Sequence, residues 1–261
     1  MLDGWECIMN KINLMNYHKK ITSQHGENGI IFTAIRRLGI KNGYALESGA
    51  ADGIRGSNTY PLSNRGWTIL MIECDDDEYR KLINNVDNNK NILPLKSRID
   101  LDGENTISKI LDKYKYPIDF DLLSLDLFGT DYFVWKEMRY FPKIVVIEYE
   151  GSLGTYNRLY PRDFKREDRI YNCYANGSAE AFRLMGKSKG YNLVAITRPN
   201  LVFIRKDLSS YFNIISKEEL KKYVEYYHRN VDFNDINEKW NNLKKEFNFN
   251  DKDDKPIKRV F

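Results

Sequence analysis

Two apolar, β-rich runs at 191–196 and 201–205 are joined by only four residues, Thr197, Arg198, Pro199 and Asn200. Parallel strands need a crossover of a dozen or more residues, so these two can pair only as an antiparallel hairpin. Upstream the pattern differs. Strand-like runs at 44–48, 68–73, 91–95, 120–125 and 143–148 alternate with helical stretches at 57–65, 75–86, 104–115, 131–140 and 178–189. Such alternation builds a mostly parallel sheet flanked by helices. The chain therefore reads as an α/β, Rossmann-like fold of seven strands that ends in an antiparallel hairpin. A doubly wound dinucleotide-binding sheet, whose strands are all joined by crossovers, does not end this way.

The segments before and after the sheet read as helical additions. Residues 1–43 form a cover, with Ile30, Ile31, Ala34, Ile35 and Leu38 at helical spacing, and residues 44–208 form the core. Residues 209–261 form an extension: Ser216 and Glu219 make a capping box, and Leu220, Val224, Tyr227 and Val231 share one helix face. Ile236, Trp240, Leu243 and Phe247 repeat the stripe, and the charged stretch 251–261 reads as disordered. Stripes of this kind serve as core or as subunit contact, so a homo-oligomer through the C-terminal helices is an expectation. Asp75 with Glu78 and, further on, Ser178 are placed to cap helices.

Cysteine usage and charge narrow the function classes. Cys7, Cys74 and Cys173 form no CxxC pair, which disfavours a zinc ribbon and a secreted disulfide framework and points to a cytoplasmic home. Apolar runs such as 69–72 and 144–147 are strand-sized, and the N-terminus lacks a secretory pattern, so no membrane partner is expected. A net charge of +4, evenly mixed, gives no ground for a nucleic-acid partner.

The strongest local signal is ALESGAADGIRGSNT, where the first strand ends at Glu47 and enters a loop holding Gly49, Gly53 and Gly56. Glycines there let a ligand approach the backbone, and open sheets bind ligands beyond the carboxyl ends of their strands. The GxGxxG spacing of a dinucleotide loop is absent, and Asp52 would repel a diphosphate. S-adenosylmethionine carries a sulfonium and an ammonium, which acids at the sheet edge favour. Glu73, closing the second strand, is placed to accept ribose hydroxyls, and Asp100, after the third, to contact an adenine.

Taken in order, ESGAADG, SNT, GWTILMIECD, FDLLSLDLFGTDYFVWKEM and VVIEYEGSLG resemble the FkbM-related S-adenosylmethionine-dependent methyltransferases. The likeness runs from about Ser23 to Leu208 and takes in SQHGENGII upstream and KGYNLVAI with VFIRKDL downstream. It implies a class I methyltransferase fold, with S-adenosylmethionine held at Gly49 and Glu73. Further expected cofactor contacts are Gln24, Glu47, Asp52, Gly53, Ser57, Asn58, Thr59, Asp100 and Asp126. The family's substrates are commonly small or carbohydrate-like.

Methyl transfer needs donor and acceptor aligned and the acceptor's proton removed. Asp126 ends the fourth strand, and Glu148 with Tyr149 ends the fifth, so all three are expected to face the methyl group as catalytic candidates, with either carboxylate as the base; His25, in the SQHGENG loop, is a further catalytic candidate. Asp126, Asp131 and Glu148 would suit a metal by residue type. Relatives often carry DIDGND where this chain has Phe128 in place of an acid, and Glu150 stands where an Asn is usual, so no metal is expected.

A long insertion at 150–177 holds Tyr156, Tyr160, Tyr171 and Tyr174 with Arg158, Arg162, Arg166 and Arg169. Long loops at this edge carry function, and arginine suits phosphate or carboxylate. Tyr149, Glu150, Tyr156, Arg158, Tyr171 and Tyr174 are accordingly the expected substrate contacts, with a small polar or anionic metabolite as partner. A surface loop of Arg–acid pairs is the plain alternative. The leading reading is a methyltransferase for the hydroxyl or amine of such a metabolite, a sugar of a surface glycan or a phosphorylated amine. A catalytically inert binding module of the same fold and a nucleic-acid methyltransferase stay open, the latter without the Asn-Pro-Pro-Tyr type of signature that holds a flipped base.

Overall fold

The structure is a computed structural model that describes residues 10–127, 129–162 and 176–246. Seven strands, β1 (Tyr44–Ser48), β2 (Thr68–Glu73), β3 (Ile92–Lys96), β4 (Leu122–Leu125), β5 (Ile144–Glu148), β6 (Tyr191–Ile196) and β7 (Asn200–Arg205), form one sheet. Their order is β3-β2-β1-β4-β5-β7-β6. The first five run parallel, and β7 runs antiparallel to β5 and to β6. The short connection at 197–199 thus forces the last strand back into the sheet between its predecessor and β5. This strand order with one reversed strand is the class I methyltransferase fold, as the hairpin argument predicts.

Eight helices flank the sheet among the described residues: α1 (Glu27–Arg37), α2 (Tyr60–Ser63), α3 (Asp76–Val86), α4 (Ile107–Lys113), α5 (Asp131–Glu137), α6 (Ala179–Ser188), α7 (Lys217–Tyr227) and α8 (Phe233–Glu246). Asp75 caps α3 by accepting the amides of Asp77 and Glu78. Glu78 does not reciprocate, because its carboxylate pairs with Lys81 instead. Ser178 accepts the Ala181 amide at 3.1 Å, and Ser216 with Glu219 forms a full capping box. Each such cap contributes about 1 kcal/mol by satisfying amides that the first helical turn leaves without partners.

Both faces of the sheet are covered, which is why its strands read as continuous apolar runs rather than alternating ones. Side chains of successive residues still point to opposite faces. Leu46, Leu70, Leu123, Val145 and Ile147 join a core with α4, α5 and α6, while Ala45, Ile69, Leu122, Ile144 and Val146 join a second core with α1 and α3. Leu220 and Val224 of α7, with Ile215 before it, belong to the first of these cores. Leu220 and Val224 of the first C-terminal stripe are therefore used within the chain. No described helix is long and apolar enough to cross a membrane.

Candidate functional site

Register decides which acids share a face. Ala45 lies beside Ile69 and Leu122, and Leu122 beside Ile144. Two positions on, Glu47 lies beside Met71 and Ser124, and Ser124 beside Val146. Two further on, the same alternation brings Gly49, Glu73, Asp126 and Glu148 into one row at the carboxyl end of the sheet. Glu47, Glu73, Asp126 and Glu148 thus all fall on the α1 face, at the place where strand order reverses between β1 and β4. No lysine, arginine or histidine among the described residues forms an ion pair with any of them.

Glu47 organises the loop that follows its strand. Its carboxylate accepts the Ser57 hydroxyl at 2.6 Å, the Asn58 amide at 2.7 Å, and both the amide and the hydroxyl of Thr59. Burial pushes its pKa up, and these bonds pull against that rise. Ser57, Asn58 and Thr59 are themselves buried. The three residues expected to contact a cofactor are turned inward onto Glu47, and for the same reason the helix predicted over 57–65 shrinks to α2. Asn58 also donates to the Ser124 hydroxyl at 3.0 Å, linking the loop to β4.

The glycines of this loop admit protein rather than open space. Gly49 has φ +67°, and a Cβ on it would stand 2.0 Å from the Asp126 carbonyl oxygen. Gly53 lies against Leu82 of α3. Asp52 accepts the amides of Ile54 and Arg55 and so closes the turn. Gln24 is exposed and lies against Gly56, while His25 is an exposed neighbour whose amide donates to Glu27.

Glu73 joins two loops. Its Oε1 accepts the Cys74 and Asp75 amides, and its Oε2 accepts the Ala51 amide at 2.8 Å. A carboxylate oxygen can accept two bonds, so Oε2 retains capacity for a hydroxyl donor. Asp100 folds back on its own loop, taking a 3.4 Å bond from the Asn105 side chain, with Arg98 3.6 Å away. A cavity of about 490 Å³ lies between the edge strand β3 and α4, lined by residues such as Lys96, Ser97, Asn105 and Tyr114. None of the expected site residues lines it.

At the ends of β4 and β5 the Asp126 and Glu148 carboxyls are neighbours, and each keeps a buried oxygen, Oδ1 and Oε2, without a hydrogen-bond partner. Burial, then the neighbouring acids, hold both well above the usual carboxylate range, Glu148 the further of the two. Asp131, fully buried, rises to about 6 through desolvation although it accepts the Leu127 and Gly129 amides and the Asn176 side chain. No group of three or more His, Cys, Asp or Glu side chains among the described residues is placed to hold a metal ion.

Tyr149 does not face these acids, contrary to expectation. It follows Glu148 on the strand and so points to the opposite face. Its ring is buried in the core with α5 and α6, and its hydroxyl lies 3.1 Å from His228 Nε2 and 3.4 Å from the Thr197 carbonyl. Burial raises its pKa.

The insertion after β5 also differs from a substrate clamp. Arg158 stacks 4.5 Å over Tyr156, lies 5.6 Å from the Trp240 ring, and donates to the Asn237 side chain at 2.5 Å. Arg162 forks onto Asp102 at 3.0 Å and reaches Glu137. Both arginines thus tie elements of the chain together. Tyr156 is exposed, and Glu150 caps the turn at Gly151–Leu153 by accepting the Ser152 amide. Tyr171 and Tyr174 lie outside the described residues, as do Arg166 and Arg169.

Several residues that shape the site are absent from the sequence-based expectations. The Asn28 side chain accepts the amides of Ile21, Thr22 and Ser23 and donates to the carbonyls of Ser57 and Asn58. Buried Glu27 accepts the Thr197 hydroxyl at 2.6 Å and the Asn200 side chain at 3.1 Å, tying α1 to the hairpin. Both lie inside the quoted SQHGENGII motif, which is the signal that could have found them. Asn176, bonded to Asp131 and to the Glu148 carbonyl, and Ser124 carry no such signal.

No protein-family model and no curated protein matches the chain. Among solved structures, the N-terminal domain of EvdMO1, crystallised in the presence of SAH and D-fucose, is similar at 12% identity and TM-score 0.45, over 69% of this chain and 82% of that one. The CcbJ methyltransferase from Streptomyces caelestis is similar at 10% identity and TM-score 0.43, over 76% and 97%. A SAM dependent methyltransferase from Aquifex aeolicus is similar at 15% and 0.37, over 66% and 87%. The strand order, rather than these distant likenesses, establishes the fold.

Proposed function

We propose that this chain is an S-adenosylmethionine-dependent methyltransferase acting on a hydroxyl or amine of a small polar metabolite. One observation carries the reading: Glu47, Glu73, Asp126 and Glu148 lie on one sheet face at its carboxyl end, without a basic partner among the described residues. Like charges gathered in a partly dry site raise one another's pKa and favour a cation that enters among them. They disfavour a diphosphate.

The residues fit that cofactor. Glu73 Oε2 keeps a lone pair for a ribose hydroxyl, and Asp126 Oδ1 and Glu148 Oε2 are buried without a donor among the described residues. S-adenosylmethionine supplies, when bound, an electrophilic methyl group on positively charged sulfur. Glu73 would hold the ribose, Glu47 would keep the 57–59 loop in shape behind it, and Asp126 with Glu148 would face the reacting end and hold the acceptor's proton.

The acceptor side is grown from the segment leaving β5. Because Arg158 and Arg162 are engaged within the chain, the described residues favour a polar acceptor in general over an anionic one. Sugar hydroxyls, which the sequence resemblance favours, and amines are both accommodated by a carboxylate base.

Incubation of the full chain with methyl-labelled S-adenosylmethionine and a panel of sugars, sugar phosphates, amines and phosphorylated amines tests the proposal. Label in any acceptor supports it. Cofactor binding with no transfer across the panel favours the inert binding module, and absence of binding removes the proposal.

A further inference from the structure

Asp126 and Glu148 follow Leu125 and Ile147, which lie side by side on β4 and β5, and two ionised carboxyls there could not bond each other, since a carboxylate only accepts. No described group donates to Asp126 Oδ1 or Glu148 Oε2, and both are buried. No described lysine, arginine or histidine forms an ion pair with either carboxyl. The charged groups that weigh most on the pair among the described residues are acids, namely Asp131 from α5, Glu47 from β1, Glu73 from β2 and Glu150 just beyond β5. Asp131 is already committed to the Leu127 and Gly129 amides and to Asn176, so it is not the source of the missing proton.

We propose that in the ligand-free protein Asp126 and Glu148 share one proton, that a sulfonium entering among the strand ends expels it, and that the emptied pair is the base that takes the acceptor's proton. This rests on the methyltransferase reading above and deepens it. The positive charge replaces the proton as the partner of the second negative charge, which is ordinary linkage between ligand and proton binding.

The balance closes over a turnover. One proton leaves to solvent as the cofactor binds. In the chemical step the S–CH3 bond breaks with its electron pair remaining on sulfur, the acceptor's oxygen or nitrogen forms the new bond to the methyl carbon, and its proton passes to the pair. The sulfur is then neutral, the pair again holds one proton, and S-adenosylhomocysteine leaves a site in its resting state. The net release of one proton equals that of the overall methylation.

The two ligands therefore differ in a measurable way. S-adenosylhomocysteine keeps the adenosine, the ammonium and the carboxylate but lacks the sulfonium. Titration calorimetry of the full chain at about pH 7, in phosphate and in Tris, gives the protons exchanged by each ligand from the difference in buffer ionisation heats. The expected result is about one proton more released with S-adenosylmethionine than with S-adenosylhomocysteine. Glu148→Gln should abolish that difference. Equal proton counts for the two ligands on the unsubstituted protein overturn the inference and leave the methyltransferase reading standing, as does a difference that persists in Glu148→Gln. Failure of both ligands to bind overturns the reading and the inference with it.

Discussion

Gly49 and Asp126 touch across the centre of the sheet: a Cβ on Gly49 would stand 2.0 Å from the Asp126 carbonyl oxygen. The glycine therefore sets how closely the ends of β1 and β4 approach, and through Asp126 it places one member of the acidic row. Gly49→Ala would add this clash to a φ of +67°, which L residues adopt reluctantly. A loss of about 2–4 kcal/mol in denaturant unfolding is expected, with weaker binding of S-adenosylmethionine. Unchanged stability and affinity together would show that the strand ends can separate without consequence.

Glu47→Gln replaces an acceptor of four hydrogen bonds by an amide whose NH2 group confronts the same donors. Loss of about 2–3 kcal/mol follows from donors left without partners in a buried site. Cofactor affinity should fall with it, because the 57–59 loop loses its anchor. Equal urea midpoints for variant and parent would refute the anchoring role.

The buried acids give stability a definite pH slope. Their folded-state pKa values are raised, Asp131 to about 6 and Asp126 and Glu148 also upward, above unfolded values near 4. The native protein then binds more protons than the unfolded chain in that window. The contribution is complete below about pH 4 and is lost as pH rises through the folded values, at up to about 1.4 kcal/mol per pH unit per proton. Urea midpoints of the ligand-free protein should fall between pH 5 and pH 8, and less steeply in Asp126→Asn. Parallel curves for the two proteins would contradict this.

Trp240 holds α8 to the body by packing on Tyr160 at 5.2 Å and on Arg158. Trp240→Ala should make the segment after α7 more sensitive to limited proteolysis, while affinity for S-adenosylmethionine stays within about twofold, a change below 0.5 kcal/mol. A tenfold loss of affinity would mean that α8 reaches the cofactor side.

The sheet was legible in the sequence because each of its features is local. Alternating strand and helix runs report the crossovers, and the four residues at 197–200 report the reversal. Acids at strand ends could likewise be read off residue by residue. Which way they turn was harder, because that depends on contacts far apart in the chain. Ser57, Asn58 and Thr59 look like a ligand loop until Glu47 is seen to take the Ser57 and Thr59 hydroxyls and the Asn58 amide. Arg158 looks like an anion site until Asn237 and Trp240, some eighty residues on, are brought beside it. Tyr149 is the exception, since strand alternation alone separates it from Glu148.

The central claim, that the acidic row receives a cationic adenosyl ligand, is tested most directly by titrating the full chain and Glu73→Ala with S-adenosylmethionine and, separately, with NAD. The account predicts binding of S-adenosylmethionine, no detectable binding of NAD, and an affinity at least about tenfold weaker in the variant, roughly 1.4 kcal/mol. NAD binding as tightly as S-adenosylmethionine, or a dissociation constant unmoved by Glu73→Ala, would contradict it.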